Sequence, residues 1–276
     1  MNPIISIIIP CYNSESTLQT TLESVISQDF QNWEAIIIND GSIDRTEEIA
    51  LKWVKKDNRF SYFSKQNEGL GKSRNYGITR ANGFYILPLD SDNLIKDDFV
   101  SRAIRVFEQD SSIGVVHGHA EYFGERTGIW EISKFNLEKI VIDNYIDACA
   151  IFRKELWTKV GGYDENMPFQ GHEDWEFWIA LGMLNVTFYH MNIVTFKYFV
   201  SSTSMIHSFT NQMATLNRNY IVKKYSAYYY EKYCEKVTLL EQVKEQNNIN
   251  LQSEKFIINC LTKKIIGIEF FKINGN

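Results

Sequence analysis

The sequence lacks a long apolar run. Nowhere in its 276 residues does a stretch approach the ~20 consecutive apolar positions that a membrane-spanning helix needs. Its apolar start ends early, at Pro10, and carries neither a basic segment nor a small-residue cleavage site, so we expect no signal peptide. These absences predict a cytoplasmic protein that stays in the compartment where it is made.

Positive charge and cysteine are also scarce. The chain has 29 Lys and Arg against 34 Asp and Glu, a formal net charge of −5, which argues against a general nucleic-acid binder. Its four cysteines form no CxxC pair and have no histidine nearby at zinc spacing. We interpret them as reduced, structural thiols of a cytoplasmic protein.

Strand and helix patterns alternate in the first half of the chain. Short β-branched runs predict strands over residues 4–9, 34–39, 60–64 and 84–89. Between and after them, apolar residues recur at helical spacing over 18–26, 44–54, 72–80 and 98–107. This alternation predicts βαβ units and a mostly parallel sheet.

The second half is less regular. We predict strands over residues 114–123 and 186–189 and a helix over 175–183, while residues 123–147 match no pattern. Residues 208–276 predict a helical appendage with a break near 247–250. We therefore expect a catalytic domain over 1–207, divided near residue 112, followed by the appendage.

Polar clusters fall where the predicted parallel strands end, which is where such sheets bind ligands. One of them is Asp90-Ser91-Asp92. Two carboxylates this close favour a hard divalent cation, which in turn can hold the phosphate oxygens of a substrate. The same pattern alone also fits a polar loop that caps the next helix. Asp40 follows the second strand, where it can accept hydrogen bonds from a nucleoside or simply form an ordinary turn.

A glycine-rich loop leads into the third helix. Residues 67–75 read NEGLGKSRN, so backbone amides at a helix start lie beside two cations, Lys72 and Arg74. This arrangement predicts a diphosphate site, although a solvated turn before a capped helix has the same pattern. The loop has neither the spacing of an ATPase loop nor that of a dinucleotide fold.

A single acid marks the helix over 175–183. Asp174 shares its face with Phe177 and Trp178, so it is expected to point inward, with Glu173 and Glu176 toward the other side. Burying an acid at the start of a helix costs folding free energy unless the acid has a partner or a catalytic use. Asp174 is therefore a candidate general base. The alternative is a helix-capping residue.

Five stretches in this order resemble glycosyltransferase family 2, the inverting enzymes of the GT-A fold. They are SIIIPCYN at 6–13, INDGSID at 38–44, the loop at 67–77, DSD at 90–92, and GGYD at 161–164 followed by EDW at 173–175. The resemblance spans about residues 4–200. It implies an α/β, Rossmann-like GT-A fold with a mixed, mostly parallel sheet and helices on both faces, plus the C-terminal helical appendage.

The resemblance also implies an activity. The chain would be a hexosyl- or N-acetylhexosaminyltransferase of polysaccharide biosynthesis, with Mn²⁺ or Mg²⁺ as cofactor. It would move a sugar from a nucleotide-diphosphate sugar, with UDP as the expected carrier, to a hydroxyl of a glycan or lipid-linked acceptor. Transfer would invert the anomeric configuration.

The resemblance assigns roles to individual residues. Asp174 would be the catalytic base, and Asp92 would be the firmest metal ligand, assisted by Asp90. The donor-binding residues would be Pro10, Tyr12, Asn13, Glu15, Asp40, Ser42, Asn67, Gly69, Lys72, Arg74, Asp90 and Ser91. Lys197 and His207 match only loosely the cations that the family often places over the diphosphate, and Pro88 departs from the usual strand end.

Two other functions remain open at this point. A sugar nucleotidyltransferase would carry a glycine-rich loop after the first strand, but residues 11–15 contain no glycine. A non-catalytic scaffold that binds sugar nucleotides would need neither the DxD pattern nor an inward Asp174. The appendage mixes lysines, acids and aromatics, so it predicts either a helical cap or homodimer interface, or a peripheral contact with the inner membrane surface.

Overall fold

The computed structural model describes residues 2–201 and 210–266. It divides into two compact units, one that ends at Arg218 and one that begins at Asn219. The predicted boundary at residue 207 lies outside the described residues and stays a prediction. The strands of the first unit are β1 (Ile5–Cys11), β2 (Trp33–Asp40), β3 (Phe60–Lys65), β4 (Tyr85–Pro88), β5 (Leu94–Ile95), β6 (Ile113–Gly124), β7 (Gly128–Trp130), β8 (Ile151–Arg153) and β9 (Thr187–Val200).

The strands form one mixed sheet in the order β3-β2-β1-β4-β8-β6-β9-β5, with β7 paired to β6. Strands β1 to β4 are parallel to one another, and β6 and β9 form a second parallel pair. Strand β8 lies between these two groups and is antiparallel to both of its neighbours, β4 and β6. Every residue of β1 is buried, as expected for a strand covered on both faces. The predicted α/β architecture with a mixed, mostly parallel sheet is confirmed.

Seven helices of the first unit precede or follow these strands within the described residues. They are α1 (Leu18–Ile26), α2 (Thr46–Lys56), α3 (Leu70–Ile78), α4 (Phe99–Gln109), α5 (Leu137–Ile140), α6 (Lys154–Val160) and α7 (Glu173–Met183). Helix α3 packs against β1 and β2, where a Cβ at Gly77 would come within 2.6 Å of Ile8. This close approach holds the glycine-rich loop over the carboxyl ends of both strands.

Pro88 ends β4 without breaking the sheet. Strand β8 pairs with β4 only at Tyr85 and Ile86, so the missing N–H of Pro88 costs no bond to that neighbour. The ladder to β1 continues through Leu89, whose N–H donates to the Ile8 carbonyl at 2.9 Å. The loop Asp90–Asp92 therefore leaves a regularly paired strand.

Three helices follow the sheet: Asn211–Lys224, Ser226–Gln252 and Glu254–Ile266. The predicted C-terminal helices are thus present, and the predicted break lies at Ser253, three residues beyond the predicted 247–250. The helix runs through its asparagines and ends before Ser253, because asparagine lowers helix propensity by well under 1 kcal/mol and does not stop a helix. In the part of the chain that the structure describes, no helix has the length and apolar character to cross a membrane.

Strand β9 is much longer than predicted. It covers 14 residues where the sequence predicts four, because its polar positions interrupt the apolar alternation that marks a strand. Pairing with β6 on one side and β5 on the other compensates for the weak local pattern. This extension brings Tyr198 to the edge of the sheet where the predicted site lies.

Candidate active site

The loops after β1, β2 and β4 are joined by side-chain hydrogen bonds. The backbone N–H of Asn13 donates to Ser42 Oγ at 2.9 Å, and the backbone N–H of Ile43 donates to the Asn13 side chain, at Oδ1, at 3.0 Å. The hydroxyls of Ser14 and Ser91 lie 2.7 Å apart, which connects the first loop to the DxD loop. Three stretches that are far apart in the sequence thus form one surface at the carboxyl ends of the strands.

The first loop offers an accessible aromatic ring. Tyr12 is 54% exposed, whereas Pro10 is buried in β1 beside Ile38. Glu15 lies at the rim, where its carboxylate accepts hydrogen bonds from the backbone and side chain of Arg45. Tyr12 is therefore available to stack on a planar ligand, and Glu15 fixes the loop beside it.

Asp40 organises the glycine-rich loop. Its carboxylate accepts from Lys65 Nζ at 2.5 Å, from the Glu68 amide at 2.9 Å and from the Gly69 amide at 2.7 Å. The residue is 5% exposed. Its oxygens are already engaged by the protein, so the structure gives Asp40 a loop-shaping part beside the predicted nucleoside contact.

Two glycines allow the loop to approach its neighbours. Gly69 has φ +96°, and a Cβ there would come within 2.5 Å of Gln170. Gly41 has φ +77°, and a Cβ there would lie 2.9 Å from the Asn67 amide nitrogen. Gln170 also accepts a hydrogen bond from the Leu70 amide at 3.2 Å, so it lies directly over the start of α3.

The two cations of the loop differ sharply in environment. Lys72 is 40% exposed and lies 3.6 Å from Glu68, so it remains accessible. Arg74 is 2% exposed, and its guanidinium bridges Asp90 at 2.6 Å and Glu173 at 2.5 Å. Arg74 is thus a buried link between the DxD loop and α7 and is not a surface cation.

The DxD carboxylates have the chemistry of a cation site. Burial and the charge of Asp90 raise the pKa of Asp92 to about 7. Within the described residues, the Asp92 side chain has no hydrogen bond or ion pair with another side chain, and Asp90 gives only Oδ1 to Arg74. Two carboxylates that repel one another while one lacks a partner fit a hard divalent ion.

This pair would not form a complete cage. Across residues 2–201 and 210–266, no three His, Cys, Asp or Glu side chains are arranged to hold an ion by themselves. Asp92 and Asp90 would therefore supply the protein ligands, with the other positions left for substrate oxygens and water. Such partial ligation is usual for Mg²⁺ at phosphate-binding sites.

Asp174 is buried at the start of α7, as predicted. It is 9% exposed and accepts long hydrogen bonds from Asn144 Nδ2, at 3.3 Å to each oxygen. Burial and the nearby charge of Glu173 raise the pKa of Asp174 well above its ordinary value. A carboxylate held this way is a strong proton acceptor once it is ionised.

Glu173 and Glu176 were predicted to lie toward the side opposite the inward apolar face, but that side is buried as well. They are 3% and 1% exposed, because nearly every residue of α7 is buried and the helix has no solvated side. Glu173 instead pairs with Arg74 and accepts from the Gly171 amide at 2.7 Å. The helical periodicity argument assumed an amphipathic helix, which α7 is not.

The sequence missed two residues of this site. Burial, followed by the charge of Asp90, raises the pKa of Asp147, and the charge of Asp147 in turn raises the pKa of Asp174. The second residue is Tyr198, whose pKa is raised by burial and by the charges of the same carboxylates. The signal for Asp147 was present, since a lone acid inside the apolar run 146–152 is costly without a purpose.

The two loosely matched cations do not clarify the diphosphate contact. Lys197 lies in β9 with its Nζ 4.0 Å from Glu121, on the partly exposed surface of the strand. His207 lies outside the described residues. Neither role is tested by the structure.

Comparison with known proteins identifies a family. The model of "Glycosyl transferase family 2" matches residues 6–161, more than half of the 276-residue chain. The poly-beta-1,6-N-acetyl-D-glucosamine synthase of Staphylococcus epidermidis is 31% identical over 176 residues, which is 59% of this chain and 42% of that protein. Two other curated relatives, 38% and 31% identical, are matched over 36% and 27% of their own lengths. The chain thus spans less than half the length of these relatives.

Solved structures share the fold. S. aureus TarS in complex with UDP-GlcNAc superposes with a TM-score of 0.63 and 22% identity, over 75% of this chain and 61% of that one. Mannosyltransferase PcManGT from Pyrobaculum calidifontis, in complex with GDP-Man and Mn²⁺, superposes with a TM-score of 0.59 and 17% identity. The match covers 76% of this chain and 60% of that one. At these identities the likeness establishes the architecture alone.

Proposed function

Since this chain belongs to glycosyltransferase family 2, we propose that it transfers one sugar from a UDP-sugar to a hydroxyl acceptor, with inversion at the anomeric carbon. The observation that carries the proposal is the group of carboxylates at the carboxyl edge of the sheet. Asp90 and Asp92 follow β4, and Arg74 links Asp90 to Glu173 at the start of α7, the residue directly before Asp174. A donor site and a proton acceptor thus lie at one edge.

The donor would lie across the loops of β1, β2 and the glycine-rich segment. Tyr12 would stack on the base, and the loop that contains Asn13 and Ser42 would hold the ribose side. The accessible Lys72 would face the diphosphate, whereas Asp40 and Gly69 would shape the loop around it. The remaining predicted donor residues Pro10, Glu15, Asn67, Arg74 and Ser91 would support these contacts from behind.

Asp92 and Asp90 would hold a divalent cation against the diphosphate. Bound there, Mn²⁺ or Mg²⁺ supplies positive charge that stabilises the departing nucleoside diphosphate. The cation's charge would also lower the pKa of Asp92, which burial and Asp90 raise to about 7. PcManGT, a fold neighbour, was solved with GDP-Man and Mn²⁺, which supports this assignment by analogy of fold.

Asp174 would act as the general base. The acceptor hydroxyl gives its proton to the Asp174 carboxylate as its oxygen attacks the anomeric carbon from the side opposite the diphosphate. The bond to the diphosphate breaks as the new glycosidic bond forms, and a single displacement inverts the configuration. Asn144 holds both carboxylate oxygens and keeps them oriented. Such proton transfer typically contributes 10²- to 10⁴-fold in rate.

The family match leaves the nucleotidyltransferase alternative without support. A UDP-linked N-acetylhexosamine is favoured as donor, because TarS was solved with UDP-GlcNAc and the S. epidermidis relative is an N-acetylglucosamine polymer synthase by name. The acceptor would be a glycan or a lipid-linked saccharide. A peripheral membrane contact or homodimer through residues 208–276 stays a prediction, which liposome co-sedimentation and light scattering of the intact chain would test.

A nucleotide panel tests the proposed function. Melting is measured with UDP, GDP, CDP or dTDP, each with and without Mn²⁺. A ligand at a hundred times its Kd adds about 2.7 kcal/mol and raises Tm by a few degrees. We expect UDP with Mn²⁺ to stabilise the chain most. If no nucleotide stabilises it under any condition, the scaffold and transferase interpretations both lose their donor site.

A further inference from the structure

Three aromatic side chains lie on one face of β7, β6 and β9. These residues, which we call the aromatic triad, are Tyr122, Trp130 and Tyr198. Tyr122 and Tyr198 are direct partners across β6 and β9, with their rings edge to face and centroids 6.1 Å apart. Trp130 is parallel to Tyr122 at 6.2 Å and edge-on to Tyr198 at 5.8 Å. The three rings therefore form a continuous wall.

Strand alternation separates this wall from the opposite face of the sheet. Glu121 and Lys197, the neighbours of Tyr122 and Tyr198 in the chain, point the other way and lie 4.0 Å apart as an ion pair. On the triad's own face the preceding residues Ala120 and Phe196 are 0% and 1% exposed, whereas the triad is half-buried. Along β6 and β9, the residues on this face thus change from fully buried to large aromatic rings that are partly exposed to solvent.

The triad lies beside the catalytic carboxylates. The Phe199 amide donates to Asn93 Oδ1 at 2.9 Å and Lys197 pairs with Leu94, so the end of β9 lies against the segment that follows Asp92. Asp147 follows by three residues Asn144, whose side chain donates to Asp174. Burial, together with the charges of Asp147, Asp90, Asp92 and Asp174, raises the pKa of the Tyr198 hydroxyl, in agreement with these contacts. Hydrogen-bond acceptors and one hydroxyl donor thus adjoin an aromatic wall. These groups are complementary to a sugar ring, which has hydroxyl groups at its edge and an apolar C–H face.

We propose that the aromatic triad and Asp147 form the acceptor subsite, and that the acceptor presents a pyranose ring to it. The inference rests on the proposed function and names its acceptor class. The C–H face of a pyranose packs on an aromatic ring, and its hydroxyls donate to carboxylates such as Asp147. An acyclic polyol phosphate has no such face to pack on the rings.

Trp130 is the ring to change. It ends a three-residue strand that pairs only with β6 in the described chain, so its replacement disturbs little of the sheet. Tyr122 is less suitable because the Arg126 guanidinium lies 3.8 Å from its ring centroid. The variants are Trp130→Ala, which removes the ring, and Trp130→Phe, which keeps an aromatic face. Phe84→Ala is the matched control, since Phe84 is 71% exposed and precedes the amino end of β4.

Saturation-transfer NMR on the full chain, with UDP and Mg²⁺ present, measures binding of named probes. The pyranose probes are chitobiose, cellobiose and maltose, and the acyclic probes are ribitol 5-phosphate and glycerol 3-phosphate. We expect at least one disaccharide to bind and neither polyol phosphate to do so. Trp130→Ala should weaken disaccharide binding about fivefold to tenfold, Trp130→Phe less than threefold, and Phe84→Ala not at all.

The outcomes separate this proposal from the proposed function. The UDP-induced rise in Tm should be equal in all variants, which shows that the fold and donor site are intact. If disaccharide binding survives Trp130→Ala unchanged, or if only the polyol phosphates bind, the acceptor subsite is refuted while the donor site stands. If UDP has no effect on the unaltered chain, the proposed function fails, and the same probes without nucleotide still decide the subsite.

Discussion

The proposed donor and acceptor halves of the first unit differ in how the sequence encodes them. The proposed donor half has its polar residues in short segments directly after β1, β2 and β4, each a few residues long and each visible as a motif. The proposed acceptor half would draw Asp147, Tyr198 and Asp174 from a loop, a long strand and a helix start. A parallel sheet delivers neighbouring strand ends to one edge by construction, whereas the acceptor side depends on packing across the whole sheet.

Arg74 joins these halves. It lies on α3 in the donor half and binds both Asp90 of the DxD loop and Glu173 of α7. One buried cation thus lies between two acids that come from different halves of the sequence. Substitutions that weaken this link, or that act on one half alone, separate the contributions of the two halves.

The largest effect is expected from Arg74→Ala. The change leaves two carboxylates without their cation, Asp90 and the 3% exposed Glu173, so it should cost about 3–5 kcal/mol of unfolding free energy. Arg74→Lys keeps the charge but cannot bind both acids in the same way. Its unfolding free energy should therefore lie between those of Arg74→Ala and the unaltered chain. Urea unfolding measures the difference.

Arg45→Ala is the control for this prediction. Its ion pair with Glu15 is mostly solvated, with the Arg45 side chain 75% exposed, and should contribute between zero and about 1 kcal/mol. Equal losses for the two arginine variants would mean that Arg74 is not the link between the halves.

The next effect concerns the donor half alone. Asp92→Ala should abolish the part of UDP stabilisation that depends on Mn²⁺, about 2.7 kcal/mol at a hundred times the Kd. The physical reason is that Asp92 is the predicted firmest ligand and lacks a side-chain partner of its own within the described residues. Glu47→Ala, which removes an exposed acid from α2, should leave the Mn²⁺ effect intact in the same melting assay. Retention of that effect in Asp92→Ala would place the metal elsewhere.

The last effect concerns His117, in the proposed acceptor half, and depends on pH. Burial, together with His190 and His119, lowers the pKa of His117 to about 3, so the native chain keeps it neutral. The unfolded chain takes up that proton below about pH 6.5, so stability should fall as pH drops from about 6.5 toward 3. His117→Gln should flatten this fall by at most about 1.4 kcal/mol per pH unit, measured by urea unfolding between pH 4 and 7. An unchanged slope would show that His117 is solvated.

Much of the fold was predictable, and the reason is local. The parallel strands are short β-branched runs with turn residues behind them, so β1 to β4 and the helices between them follow from the pattern alone. Strand β9 was underestimated because polar residues interrupt its alternation. The burial of Glu173 was missed because periodicity reports which face of a helix is apolar, not that every face is covered. Arg74 was predicted to contact the diphosphate, and its ion pairs were missed because no local signal reveals the two distant acids, Asp90 and Glu173, that neutralise it.

The central claim is that Asp174 takes the acceptor proton at a site that binds a metal-held UDP-sugar. The most direct test measures sugar transfer by Asp174→Asn beside its UDP-induced rise in Tm, with the donor and acceptor that the nucleotide and disaccharide panels identify. Asparagine keeps the shape and can keep one of the two hydrogen bonds from Asn144, but it cannot accept the proton, so transfer should fall by 10² to 10⁴ while UDP binding with Mn²⁺ persists. Undiminished transfer by Asp174→Asn would contradict the account and return Asp174 to the part of a helix-capping residue.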